Sequence, residues 1–154
     1  MSTVRRGIWN SIDDPLLLSL VTKNLDFVII DLEHGYRDVS KTISMVLSLA
    51  HVPEIFVRLR SYSDPLIQTL LDIGVSKFIV PQIRTALEID SLATRVTLPP
   101  KGSRGVHPRQ RVQHEKQEPL IAELYPIIET LEGLSIASDL IARPEVGGLY
   151  FGSY

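Results

Sequence analysis

The sequence predicts an α/β fold, built as part of a TIM (β/α)8 barrel with about six βα units. Short apolar runs rich in β-branched residues alternate with longer segments of helical period, which is typical of βαβ units around a parallel sheet. The first predicted turn lacks the glycine-rich sequence of nucleotide-binding doubly wound folds. Polar residues follow several successive strands at their C-terminal ends, as in barrel enzymes. We expect one incomplete barrel domain over residues 1–154.

The first βα unit is marked by a helix start signal. A weak strand is predicted at 7–12, and Asp14 then offers an N-cap oxygen before Pro15, whose φ is preset for the first helical position. The first helix is therefore predicted over 15–21. The continuous apolar run 27–30 is typical of a strand that is buried on both faces. It is the second predicted strand.

The next units repeat this construction. Apolar residues at helical spacing predict an amphipathic helix over 39–50, and a third strand follows at 54–59. Asp64 and Pro65 repeat the start signal, and Gly74 predicts the end of the helix that they open. The repetition favours a regular series of βα units.

The rest of the chain continues the alternation of predicted strands and helices, apart from one region in which the apolar residues follow neither a helical nor a strand period. That region, 97–119, is rich in Pro, Gly, Arg and His, so we expect a long loop there. The strands and helices predicted around it are 77–83, 86–95, 124–128, 134–141 and 148–151. A doubly wound sheet remains the alternative, because a complete barrel needs eight strands and about 250 residues. The last strand has no closing helix after it, which predicts a truncated barrel.

Composition excludes several classes of function. A formal net charge of −2 argues against a protein whose main partner is nucleic acid or an anionic membrane. The absence of cysteine excludes disulfides, thiolate metal sites and cysteine nucleophiles, and it fits a reducing compartment. No run of 18 apolar residues occurs. We expect a cytoplasmic protein without a membrane or nucleic-acid partner.

The end of the second strand carries the first candidate catalytic pair. Asp31 and His34 lie at the mouth of the predicted sheet, and Gly35 permits a tight turn there. A carboxylate that orients an imidazole forms a usable general-base pair near neutral pH. A turn in which both residues only cap the next helix is the alternative.

Two further strands end in residues that suit an anionic substrate or a cation. Arg58 and Arg60 alternate with apolar residues in the third strand, and one of them could clamp a carboxylate or could extend into solvent. Glu129 ends the fifth strand, where it could ligate a hard divalent cation or could only favour a helix N-terminus.

A basic stretch and one lysine suggest two other functions. The stretch 101–116 could contact phosphates, but it lacks interleaved aromatic residues, which favours a solvated loop. Lys77 is the in-strand candidate for a Schiff base, yet it lies at the N-terminal end of its strand, away from the expected site.

Several segments occur in an order that is typical of a known family. They are DFVIIDLEHG at 26–35, Val57-Arg58, Asp64-Pro65, LLDIG at 70–74, Val80-Pro81, PPKGSRGV at 99–106, Ile128-Glu129-Thr130 and GGLYFGS at 147–153. Together they resemble the HpcH/HpaI aldolase/citrate lyase family, the class II pyruvate aldolases typified by 4-hydroxy-2-oxoheptanedioate aldolase. The resemblance implies a barrel of the phosphoenolpyruvate/pyruvate type, which we expect to be truncated at its C-terminus here.

The resemblance also implies a reaction, a cofactor and an assembly. The reaction is retro-aldol cleavage of a 4-hydroxy-2-oxo acid to pyruvate and an aldehyde, with a bound Mg²⁺ or Mn²⁺, or alternatively Co²⁺ or Zn²⁺. The partner is then a small 2-oxo acid, and the full-length form is a homo-oligomer. Two other hypotheses stay open: an inactive remnant that serves as an interaction module, and a nucleic-acid binder that uses residues 101–116.

The resemblance further implies roles for individual residues. His34, oriented by Asp31, would handle the proton of the 4-hydroxyl group. Arg58 would stabilise the enolate oxygen, with Arg60 as the alternative. Glu129 would ligate the metal, and the family's second metal carboxylate would follow at about position 155. The substrate carboxylate would be bound by backbone N–H groups of a turn, namely Gly152, Ser153 and Tyr154.

Overall fold

A computed structural model describes residues 4–35, 38–105 and 122–152. Within these residues, six parallel strands form one sheet in the order in which they occur along the chain. The elements, in chain order, are β1 (Gly7–Asn10), α1 (Pro15–Val21), β2 (Phe27–Asp31), α2 (Val39–Ser48), β3 (Glu54–Arg58), α3 (Ile67–Asp72), β4 (Lys77–Val80), α4 (Ala86–Val96), β5 (Glu123–Ile128), α5 (Leu131–Ser135), α6 (Ala137–Ile141) and β6 (Tyr150–Phe151).

The strand order decides between the two predicted architectures. A doubly wound sheet reverses its strand order at a switch point, whereas a barrel keeps the strands in sequence. Here the order is sequential from β1 to β6. The rings of Trp9 on β1 and Tyr150 on β6 also meet edge to face, with centroids 6.2 Å apart, so the sheet curls until its first and last strands approach each other. The prediction of a partial (β/α)8 barrel is therefore confirmed.

The strands divide the core into an outer and an inner part. Alternate strand residues point to opposite faces of a sheet. One set, which includes Val28, Val57 and Phe78, packs against the helices in the larger core. The other set lines the inside of the barrel, and its buried apolar cluster consists of Ile29, Phe56, Ile79 and Ile127. This alternation also directs the side chains at the strand ends into the barrel mouth.

Three strands end earlier than the sequence predicts, β3 by a single residue. β1 ends at Asn10 and not at residue 12, because the Asn10 side chain accepts the Ile12 N–H at 2.7 Å and donates to the Ile12 carbonyl at 3.1 Å, which turns the chain. β4 ends at Val80 because Pro81 has no N–H to donate and Gln82 has φ 54. Both turns shape the mouth of the barrel.

The helical region after β5 also differs from the prediction. Two short helices occupy it, and they begin at Leu131 and not at residue 134. Thr130 caps the first of them by accepting the Gly133 N–H at 2.9 Å. Ile136, with φ −108 and ψ 3, interrupts the helical backbone between them. The last strand is likewise shorter than predicted and starts at Tyr150.

Asp64 does not cap α3 directly, since that helix begins at Ile67. Its side chain is fully buried, and it accepts the backbone N–H groups of Arg60 at 3.0 Å and Leu66 at 2.9 Å. The Arg60 guanidinium donates two further bonds, at 3.0 and 3.2 Å. Burial alone would raise the pKa of Asp64, but these donors together hold that pKa below its ordinary value. Asp64 thus orders the loop between β3 and α3 as a carboxylate.

Among the described residues, no helix is long and apolar enough to cross a bilayer.

Replacement of Asp64 by Ala should lower the free energy of unfolding by about 2 kcal/mol, because it leaves several N–H groups without their acceptor. Because the pKa of Asp64 is lowered in the folded state, its contribution exists above the ordinary pKa of 3.8 and is lost as the pH falls below that value. Urea unfolding near neutral pH and below pH 3.8 measures both effects.

Asp14→Ala is the matched control, since Asp14 caps α1 at an exposed position through the Leu17 N–H. Its loss should cost about 1 kcal/mol. If Asp64→Ala costs no more than Asp14→Ala, the ordering role of Asp64 is refuted.

Candidate active site

Polar side chains from several strands gather at the C-terminal rim of the barrel. The register of β2 and β3 sets Asp31 directly opposite Arg58, at the last paired position of both strands. Side chains at this position follow Ile29 and Phe56 along the inner face, two residues further along each strand. Both therefore point toward the barrel mouth.

Asp31 and Arg58 form the centre of this group. Arg58 donates from Nε to Asp31 Oδ1 at 2.8 Å and from Nη2 to Oδ2. The Trp9 indole N–H also donates to Asp31 Oδ2, at 3.2 Å, and the Arg58 guanidinium carbon lies 4.8 Å from the Trp9 ring centre. Burial would raise the pKa of Asp31, but the hydrogen bonds from Arg58 and Trp9 lower it. An ionised Asp31 therefore fixes the guanidinium in place.

The His34 ring lies beside Glu33. Asp31 accepts the backbone N–H groups of Glu33 at 2.9 Å and His34 at 3.3 Å, so it orders the turn that carries the ring. The imidazole Nε2 is 3.9 Å from Glu33 Oε2, and the side chain is 75% exposed. The structure thus places Glu33 next to the imidazole, while Asp31 contacts the backbone of that turn. The accessible ring can exchange a proton with a molecule in the mouth.

Glu33 connects three other members of the group. Its Oε2 lies 2.9 Å from Arg58 Nη1, on the side of the guanidinium that Asp31 leaves open. Its Oε1 accepts a hydrogen bond of 3.1 Å from the side-chain amide of Gln82, which follows β4. Glu33 belongs to the DLEHG segment, but its contacts with β3 and β4 depend on the assembled barrel.

Glu129 joins the rim from the end of β5. Its Oε1 accepts the backbone N–H of Gln82 at 2.7 Å. Its Oε2 faces Gly152, the residue that follows β6, because a Cβ added to Gly152 would lie 3.2 Å from that oxygen. Glu129 and Gly152 are therefore neighbours.

The structure separates Arg58 from Arg60. Arg58 lies within the cluster of polar residues at the rim, whereas Arg60 is 47% exposed and pairs with Asp64. We call this cluster the rim group; it consists of Asp31, Glu33, His34, Arg58, Gln82 and Glu129. Lys77 lies at the opposite end of the barrel, with its Nζ 3.1 Å from Glu123 and 3.4 Å from the Tyr125 hydroxyl. Burial lowers the pKa of Lys77, but Glu123 and Tyr125 raise it overall, so its amine is protonated and unsuited to Schiff-base formation.

Some predicted site residues fall outside the described part of the chain. These are Ser153 and Tyr154, together with most of the basic stretch 101–116. The roles suggested for them stay predictions.

A cleft of about 360 Å³ opens between the ends of β1 and β2, next to the rim group. Its lining includes Trp9, Asp31, His34 and Gly35, with polar residues of the loop after β1 on the other side. A small polar molecule bound there would contact the His34 ring. The cleft therefore adds a place for part of a substrate.

The donor set fits a hard divalent cation in part. Glu129 and Glu33 offer carboxylate oxygens, the type that Mg²⁺ and Mn²⁺ prefer. Within residues 4–35, 38–105 and 122–152, no three acidic or histidine side chains form a group that could hold a metal ion. Mg²⁺ commonly binds through one or two carboxylates and completes its shell with water and substrate oxygens. A cation at Glu129 would thus rely on such ligands.

Comparisons with known proteins agree with this fold. The chain is 35% identical over 102 residues to a hydroxypyruvate/pyruvate aldolase of Cupriavidus necator, an alignment that covers 65% of this chain and 38% of the relative. It is 26% identical over 164 aligned positions to a 5-keto-4-deoxy-D-glucarate aldolase of Escherichia coli, covering 97% of this chain and 62% of the relative. The chain thus spans less than two thirds of the length of these relatives.

A solved structure shows the same fold. The crystal structure of an HpcH/HpaI aldolase/citrate lyase family protein from Burkholderia cenocepacia superimposes with a TM-score of 0.83 at 24% identity, over 96% of this chain and 63% of that one. The description of the HpcH/HpaI aldolase/citrate lyase family itself matches residues 5–154. From this match over nearly the whole sequence, the chain belongs to the HpcH/HpaI aldolase/citrate lyase family.

Proposed function

We propose that the protein is a metal-dependent carbon–carbon lyase that cleaves a 4-hydroxy-2-oxo acid to pyruvate and an aldehyde. The observation that carries this proposal is the convergence of an ion-paired arginine, an accessible imidazole and two carboxylates at one rim of the barrel. The two aldolase relatives support the same class of reaction.

Glu129 is the residue that we expect to hold the cation. It ends β5, and one carboxylate oxygen is already fixed by the Gln82 N–H while the other faces Gly152. A bound Mg²⁺ or Mn²⁺ would supply Lewis-acid polarisation of the 2-oxo group. The substrate carboxylate would be held by backbone N–H groups of the turn at Gly152, Ser153 and Tyr154.

Arg58 is proposed to stabilise the negative charge that develops on the 2-oxo oxygen. Asp31 and Glu33 bind its guanidinium from two sides, so its donors are oriented before the substrate arrives. Such preorganised donors commonly contribute a large part of the lowering of a barrier. Asp31 acts here by positioning Arg58 and the His34 turn.

His34 is proposed to take the proton of the 4-hydroxyl group. As the O–H bond breaks, a carbonyl forms at C4, the C3–C4 bond breaks, and its electron pair moves through C3 to the 2-oxo oxygen. The aldehyde leaves, and protonation at C3 completes pyruvate. Glu33 Oε2 lies 3.9 Å from Nε2 of the ring that takes up this proton.

The alternative of an inactive interaction module has less support. An interaction module has no need for the hydrogen bonds of the rim group. In that group, Asp31, Glu33 and Gln82 connect the ends of four strands. A location in the cytoplasm and assembly into homo-oligomers stay predictions.

The purified protein should release pyruvate from a 4-hydroxy-2-oxo acid when Mg²⁺ or Mn²⁺ is present, and EDTA should abolish the release. His34→Ala should lower kcat by about 100-fold or more, since it removes the general base. A coupled assay for pyruvate measures both.

His51→Ala is the matched control, because His51 lies 3.2 Å from the Thr22 hydroxyl, away from the rim. It should leave the rate unchanged. Turnover that persists in EDTA, or full activity in His34→Ala, would rule out the proposed mechanism.

Arg58→Lys should lower kcat by about 100-fold, because lysine keeps the charge but loses the planar fork that meets Asp31 and Glu33. Arg60→Lys tests the alternative arginine and should change kcat little. Steady-state kinetics gives the rates, and thermal melting shows that each variant is folded. A larger loss of kcat in Arg60→Lys would assign the role to Arg60.

A further inference from the structure

We propose that Gln82 is a positioning residue that holds Glu129 and Glu33 in place and thereby sets the affinity of the rim for a divalent cation. This inference rests on the proposed function, since it concerns the cation that Glu129 would bind. Gln82 was not among the residues that the sequence pointed to.

The backbone of Gln82 adopts an unusual conformation. Among the residues that the structure describes, it is the only non-glycine residue with a positive φ, at 54°. Side chains other than glycine adopt this region at an energetic cost, and such residues cluster at functional sites. The contacts of Gln82 hold its backbone in this conformation.

The two contacts of Gln82 reach the ends of two other strands. Its backbone N–H donates to Glu129 Oε1 at 2.7 Å, so the turn after β4 reaches the end of the neighbouring strand β5. Its side-chain amide donates to Glu33 Oε1 at 3.1 Å, so it also reaches the residue that follows β2. One residue therefore links carboxylates on opposite sides of the barrel mouth.

Each contact constrains an anion in one orientation. With Oε1 of Glu129 bound by the N–H, Oε2 is directed toward Gly152, the residue that follows β6. With Oε1 of Glu33 bound by the amide, Oε2 is directed toward Arg58 at 2.9 Å and His34 at 3.9 Å. Groups that orient metal ligands in this way commonly change metal affinity by about 10- to 100-fold when they are removed.

The first test separates the amide from the backbone. Gln82→Met keeps the length of the side chain and removes the amide, and it should weaken Mn²⁺ binding about 10-fold in the presence of pyruvate. Free Mn²⁺ is measured by electron paramagnetic resonance, with a thermal melt of each variant in parallel. Gln68→Met is the matched control, because Gln68 donates to Asp72 on α3, away from the rim.

The second test concerns the backbone conformation. Gln82→Gly and Gln82→Ala both lack the amide, but only glycine adopts a positive φ without strain. Gln82→Ala should therefore bind Mn²⁺ about threefold more weakly than Gln82→Gly. Equal affinities in these two variants would show that the left-handed turn has no part in positioning Glu129.

The outcomes distinguish this inference from the proposed function. If the wild-type protein binds Mn²⁺ and Gln82→Met binds it equally well, the positioning role is overturned while the lyase proposal stands. If the wild-type protein binds no Mn²⁺ with pyruvate, the lyase proposal fails, and the effect of Gln82 on cation affinity fails with it. A metal-free measurement tests the positioning of Glu129 by itself: hydrogen exchange of the Gln82 N–H should lose its protection in Glu129→Ala, and unchanged protection overturns the positioning role.

Discussion

The ion pair between Asp31 and Arg58 is the interaction on which the rim of this barrel depends. It closes the last paired position of β2 and β3, and it buries a carboxylate that would be costly without its partner. Since side chains alternate along a strand, a slip of one residue in either strand would turn its charged group into the helix layer. The pair therefore fixes the register, the guanidinium and, through the backbone of the next turn, the imidazole of His34.

The inside of the barrel is divided along its axis into polar ends and an apolar middle. Ile29, Phe56, Ile79 and Ile127 form the middle. At the N-terminal ends of the strands, Glu123 accepts hydrogen bonds from the Tyr125 hydroxyl at 2.6 Å and from Lys77. These hydrogen bonds together lower the pKa of the Glu123 carboxyl. Among the described residues that line the barrel, charged groups thus lie where strands begin or end, since unpaired charge in the middle would lack partners. Lys77 and Glu123 form an ion pair at the end opposite the rim group.

The rim residues work as a connected set. Asp31 and Glu33 hold Arg58, and Gln82 links Glu33 to Glu129 across the mouth. A change at one member is therefore transmitted to the others through hydrogen bonds. This connection lets one residue influence the orientation of charged groups on several strands.

The sequence by itself determined the strands, most of the helices, the family and the convergence of Asp31, His34, Arg58 and Glu129 at one end of the barrel. It could do so because apolar periodicity defines the strands, and parallel strands bring their C-terminal ends to one rim. Only the tertiary structure decided that Glu33 and not Asp31 lies beside the imidazole, that Arg58 and not Arg60 enters the rim, and that Gln82 joins the two sides. These outcomes depend on side-chain directions and on one left-handed backbone turn, which neighbouring strands impose and residue types do not encode.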